Sequence, residues 1–142
     1  MKTVKQIDLS LENRPGVLSA VSDTLGVNGI NIIGFHVVTD VAEGTVRVIV
    51  NDPEKAINVL KTAGYGIDVK EVIGCEIPHH PGGLNAILKP LKEADINVDY
   101  LYPCMSTGSS AVLILGVSPV EKTLKVLEEN WIRVLGDELY HM

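Results

Sequence analysis

Apolar and polar positions along the chain change period several times, and each change marks an element. Ile7-Asp8-Leu9-Ser10-Leu11 alternates strictly, which predicts a half-buried strand. Val17, Leu18, Val21 and Leu25 then recur at three- and four-residue steps, a helical stripe that Gly29 closes with Asn28 beside it. Residues 30–38 are rich in β-branched side chains and predict a second strand. Residues 40–44 read as a polar hairpin connection and 45–50 as a third strand. Asp52 caps and Pro53 opens a second helix with the stripe Ala56, Ile57, Leu60 and Ala63. Gly64 ends it, and residues 67–69 return as a fourth strand. The predicted order is β-α-β-β-α-β.

The pattern runs twice. A shift of 66 residues places Pro15 on Pro81, Gly16 on Gly82, Leu18 on Leu84, Ala20 on Ala86, Leu25 on Leu91, Ile30 on Ile96 and Asn31 on Asn97. Those seven identities fall within the eighteen positions 15–32 without a gap, too long an agreement for chance. The same shift puts Pro53 on Pro119, and one residue of slippage then aligns Glu54-Lys55 with Glu121-Lys122 and Val59-Leu60 with Val126-Leu127. The expected organisation is two domains, 1–70 and 71–142. Each is a ferredoxin-like βαββαβ unit of the α+β class, an antiparallel sheet with helices on one face.

Such a unit has a thin core, and its helix-free face needs cover. The third strand's outward set reads Thr45, Arg47 and Ile49 in the first copy, and Ala111, Leu113 and Leu115 in the second. The second set is too apolar for water, so sheets or edges are expected to pair within the chain or in a dimer. Pro90 falls mid-helix, where proline typically costs about 3 kcal/mol unless the helix kinks. Trp131 extends the stripe Leu124, Leu127 and is expected in the core.

Composition narrows the function. Net charge is −6 with no basic cluster, which argues against nucleic acid and against a basic membrane-surface helix. The longest apolar run, 111–117, is too short to span a bilayer. The N-terminus has no apolar secretory segment, and Cys75 and Cys104 stand far apart, so a cytoplasmic location is expected. Adjacent His79 and His80 with His36 and the cysteines match no zinc spacing, and no cofactor is expected. No nucleophile stands in a motif with a base, so no enzyme is expected.

The remaining chemistry lies in the strand-to-helix turn. Pro15 pre-sets a helical φ, and Gly16 turns the backbone without a Cβ in the way. The amides of Gly16, Val17 and Leu18 then face outward at the positive end of the helix dipole and suit a carboxylate.

Glu12-Asn13-Arg14-Pro15-Gly16-Val17-Leu18, the later Gly29-Ile30-Asn31-Ile32 and the element order together resemble the ACT domain family. The second copy carries His79-His80-Pro81-Gly82-Gly83-Leu84 and Asp95-Ile96-Asn97-Val98. The resemblance covers nearly the whole chain as a tandem pair and implies a small effector, often an amino acid, bound where ACT units pair. In serine-sensing members asparagines match Asn13 and Asn31, so it implies an amino-acid ligand here. Asn13 and Asn31 would accept from the ammonium, with the Ile32 carbonyl as a further acceptor beside the turn. The equivalent residues of copy two are His79, His80, Pro81, Gly82, Gly83, Leu84, Asn97 and Val98. There His79 and His80 replace Asn13 and Arg14, and Gly83 replaces Val17. The second site therefore either takes a different ligand or is a structural copy. The expected whole is a homodimer or larger that acts through a protein partner. The alternative is an assembly module whose turns are empty.

Overall fold

The computed structural model describes residues 2–39, 43–105 and 110–142; of the expected hairpin connection, 40–42 lie outside them. The chain forms two compact units, one of Lys5–Lys70 and one of Met1–Val4 with Glu71–Met142. No described helix is long and apolar enough to cross a membrane.

In the first unit the elements are β1 (Val4–Glu12), α1 (Val17–Val27), β2 (Ile32–Thr39), β3 (Glu43–Val50), α2 (Pro53–Thr62) and the start of β4 (Ile67–Pro78). β3 pairs antiparallel with both β1 and β2, Leu11 and Thr39 each facing Gly44. Alternation sends Ile7, Leu9, Val46 and Val48 to one face, where they pack with Leu25 of α1 and Leu60 of α2. Asp52 accepts the Lys55 amide at 3.2 Å and Pro53 opens α2, so this cap follows the sequence reading.

The second unit repeats the order with the rest of β4, α3 (Asn85–Glu93), β5 (Val98–Pro103), β6 (Ser110–Val117), α4 (Val120–Glu129), β7 (Val134–Leu135) and a 3₁₀ turn over Asp137–His141. β6 pairs with β4 and β5, and β7 pairs with β4. Both copies carry a one-residue bulge at the same place, between Ile32 and Gly34 and between Val98 and Tyr100. The strands expected on either side of residue 70 are one continuous strand, β4.

Two expectations are corrected. Leu113 and Leu115 do not point outward; they pack with Ile87 and Leu127 in the helix-facing core. The registers explain it: Ile32 faces Val50 and Val98 faces Val117, so β2 and β5 are related by 66 residues but β3 and β6 by 67. The extra residue lies in the connection between β5 and β6, ahead of the strand, and a one-residue slip exchanges the two faces. Pro119 is correspondingly the N-cap of α4, where Pro53 is the first residue of α2.

Trp131 is not core: it is 95% exposed. α4 has already ended, and Trp131 takes the left-handed position after the cap at φ 62°. Gly29, Gly64 and Asp95 do the same after the other three helices. The next amide in each case bonds five residues back, Ile30 to Leu25, Tyr65 to Leu60, Ile96 to Leu91 and Ile132 to Leu127, at 2.8–3.0 Å. This helix stop turns the left-handed residue outward and tucks the next one into the core.

Pro90 stands inside α3 as expected, and the helix runs on to Glu93. The Pro90 carbonyl still accepts from Ala94 at 3.1 Å, so helical bonding resumes past it, while the missing Pro90 N–H forgoes the bond to the Ala86 carbonyl.

Candidate functional site

The first turn departs from the sequence reading in two details: Pro15 precedes the N-cap instead of lying in the first helical turn, and the Val17 amide is turned to the Arg14 carbonyl. Gly16 is the N-cap of α1 at φ 88°, and no side chain caps the helix. The Val17 amide reaches the Arg14 carbonyl at 3.5 Å, while those of Gly16, Leu18 and Ser19 have no partner among the described residues. Three donors at a helix N-terminus are thus left for a guest. Arg14 is exposed and donates to Glu12 at 2.7 Å across the turn. Leu11, Asn13, Val17, Leu18, Val37 and Val46 are among the residues around a small cavity of about 50 Å³. Water occupies about 30 Å³ in the liquid, so this space alone does not hold an amino acid.

Asn31 is elsewhere. It precedes β2, whose Ile32 faces Val50, whereas the turn follows Leu11, which faces Gly44. Six residues of β3 separate those levels, about 20 Å at the rise of a strand. Asn13 and Asn31 of one unit therefore do not share a ligand, and the Ile32 carbonyl is not beside the turn. The end of β2, not its start, adjoins the turn, because β2 runs parallel to β1. Asn31 is held by Asn51: its amide donates to Asn51 Oδ1 at 2.9 Å, and the Asn51 amide donates to the Asn31 carbonyl at 3.1 Å. The Asn31 side chain is exposed and makes no hydrogen bond among the described residues.

The second turn differs. Gly82 keeps the left-handed conformation at φ 85°, but α3 starts at Asn85, two residues later than α1 in register. Gly83 donates to the His80 carbonyl at 2.9 Å, and a Cβ on Gly83 would lie 2.0 Å from the Pro78 carbonyl. Glycine at this place is a packing requirement, which Val17 in the first copy does not meet. His79, His80, Pro81 and Gly82 are exposed, and His80 Nδ1 lies 2.8 Å from the Pro81 carbonyl. Leu84, the N-cap of α3, is also exposed. Asn97, before Val98 at the far end of the unit, donates to Asp99 at 3.0 Å.

The thiols take no part in this chemistry. Cys75 faces the helix-side core and Cys104 is 9% exposed; burial pushes them up to about 12 and about 11. No group of three or more His, Cys, Asp or Glu among the described residues is placed to hold a metal.

Sequence reasoning missed Asn51 and the walls that β2 and β3 lend to the first turn. Asn51 had a signal, a polar residue between the apolar run 46–50 and the Asp52-Pro53 helix start.

Two ferredoxin-like units in tandem, each with a proline-glycine turn between its first strand and first helix, define the class. The chain belongs to the family of ACT domain pairs, whose model matches residues 2–142. It is similar to the crystal structure of protein BT0572 from Bacteroides thetaiotaomicron, at 28% identity and a TM-score of 0.93, over 99% of this chain and 98% of that one. It is also similar to the ligand-free regulatory subunit of aspartate kinase from Thermus thermophilus, at 14% identity and a TM-score of 0.66, covering 92% and 94% of the two chains. The corresponding subunit from Thermus flavus gives 12% and 0.62, with the same coverage. At such identities the two kinase subunits speak for the fold. No curated protein matches the chain.

Proposed function

We propose that the chain is a non-catalytic regulatory protein that binds a free amino acid at the first turn, in a site completed by a second copy of the chain. The observation that carries this is a separation. The free amides of Gly16, Leu18 and Ser19 and the free side chain of Asn31 are both present, yet about 20 Å apart within one unit. A carboxylate on the turn of one copy would meet the Asn31 amide group of another, with Asn13 beside it. The small cavity at the turn supplies one wall of such a site and not the whole. The same reading makes the working form a homodimer or larger, with its output passed to a protein partner.

For the second turn the reading is a structural copy. Gly83, drawn against Pro78, and Asn97, engaged by Asp99, are both committed within the protein.

A thermal-shift screen of the full chain against the twenty amino acids tests the function. Ligand at a hundredfold over its Kd stabilises a site by about 2.7 kcal/mol. A response to one or a few amino acids, lost in Asn13→Ala and in Asn31→Ala, supports the reading. A flat panel favours an assembly module with empty turns.

A further inference from the structure

Beside the first turn, the helix side of the sheet is not filled. The cavity of about 50 Å³ there has the buried Leu11 and Val46 as its floor. It reaches the surface between Leu18 and Val37, which are 50% and 36% exposed. Leu11, Gly44 and Thr39 stand in one row across β1, β3 and β2, and Val46 faces Val37 in the next. Gly44 leaves the space open. Alternation with Val46 and Val48 would aim a Cβ on Gly44 at the helix side, into the cavity that it lines. That Cβ would meet Thr39 Cγ2 at 3.4 Å, the Val38 carbonyl oxygen at 3.6 Å and the Leu11 carbonyl oxygen at 3.9 Å, all ordinary contacts.

Neither backbone nor packing therefore demands glycine at 44. In the second unit Ala111 pairs with Ile77 as Gly44 pairs with Leu11, so the fold accepts a methyl at this strand position. The space is hydrocarbon-lined: Val17 borders it from α1, and Thr39 turns its methyl toward the row. Its polar neighbours Glu12, Asn13 and Arg14 are exposed, and Glu12 and Arg14 pair with each other at 2.7 Å. A dry apolar cavity of about 150 Å³ takes benzene, about 25 Å³ per carbon, so this one takes about two carbons and a third at its mouth.

We propose that this cavity seats the side chain of the amino acid bound at the first turn, so that the ligand is small and aliphatic, of alanine, 2-aminobutyrate or valine size. This rests on the amino-acid reading above and adds its selectivity. Leu18 carries one of the free amides and also borders the cavity, so carboxylate and side chain of one ligand are served side by side. Gly44 sets the depth of the seat and Val37 its width at the surface. A longer side chain overpacks against Leu11 and Val46. A hydroxyl of the same size gives up water for hydrocarbon.

The test is calorimetric titration of the full chain with the twenty amino acids and L-2-aminobutyrate. L-2-Aminobutyrate should bind about tenfold more tightly than its isostere L-serine, and about tenfold more tightly than L-leucine. Gly44→Ala takes about half of the space and should lower the valine-to-alanine affinity ratio about tenfold. Val37→Ala, at the exposed mouth, should raise the leucine-to-valine ratio about tenfold. Ratios within one variant cancel any change in stability or assembly; should Gly44→Ala not fold, Val37→Ala decides alone. Tightest binding of serine or of a charged or large amino acid, lost in Asn31→Ala, overturns the cavity assignment and leaves the amino-acid site standing. Unchanged ratios in the variants overturn it too. No binding of any amino acid removes the site itself, and this proposal with it.

Discussion

Asn51 and Asn31 hold each other through two hydrogen bonds, one from the Asn31 amide to the Asn51 side chain and one from the Asn51 amide to the Asn31 carbonyl. This fixes the backbone of Asn31 and leaves its side chain pointing at solvent. Asn51→Ala removes the first bond only. It should lower stability by about 1 kcal/mol and weaken amino-acid binding without touching the ligand. Denaturant unfolding and calorimetric titration check both, and an unchanged affinity would make Asn51 a purely local brace.

Trp131 sits in left-handed backbone with its ring in water. An L-residue there costs about 1–2 kcal/mol, and an exposed ring returns little of it. Trp131→Gly should therefore raise stability by about 1 kcal/mol, read as a higher urea midpoint by circular dichroism. A lower midpoint would mean that the indole is covered in solution.

The two turns respond differently to a methyl group. Gly83→Ala drives a Cβ into the Pro78 carbonyl and should cost more than about 2 kcal/mol. Gly16→Ala meets no atom within 4 Å and is opposed only by its φ of 88°, for about 1 kcal/mol. Melting curves of the two variants give the order, and equal losses would remove the distinction between the turns.

Both thiols are raised from an ordinary 9.0, to about 12 for Cys75 and about 11 for Cys104. The folded chain keeps them protonated where the unfolded chain ionises them. Their contribution is complete below pH 9 and is lost as pH rises through 9 toward 11–12. The urea midpoint should fall over that range more steeply in the natural chain than in Cys75→Ala with Cys104→Ala. Parallel curves would refute the thiol contribution.

Element order, the duplication and the left-handed stops at Gly29 and Gly64 were legible in the sequence because they follow from local rules of period and backbone freedom. The facing of Leu113 and Leu115 was not, since one inserted residue in a connection exchanges both faces of the next strand and leaves the apolar count unchanged. Trp131 misled because a helical stripe extends on paper past a helix that a left-handed residue has ended. The residue types of the candidate site were legible, but their placement was not. Asn13 and Asn31 are eighteen residues apart in sequence, and only the parallel course of β1 and β2 shows that they stand at opposite ends.

The shared site is tested most directly by mixing Asn13→Ala and Asn31→Ala chains and measuring amino-acid binding by calorimetry. Neither variant alone should bind. In a symmetric dimer each mixed pair carries one site with both asparagines intact, so the mixture should recover about one quarter of the natural binding capacity. No recovery after subunit exchange, or retained binding in either variant alone, would contradict a site assembled from two copies.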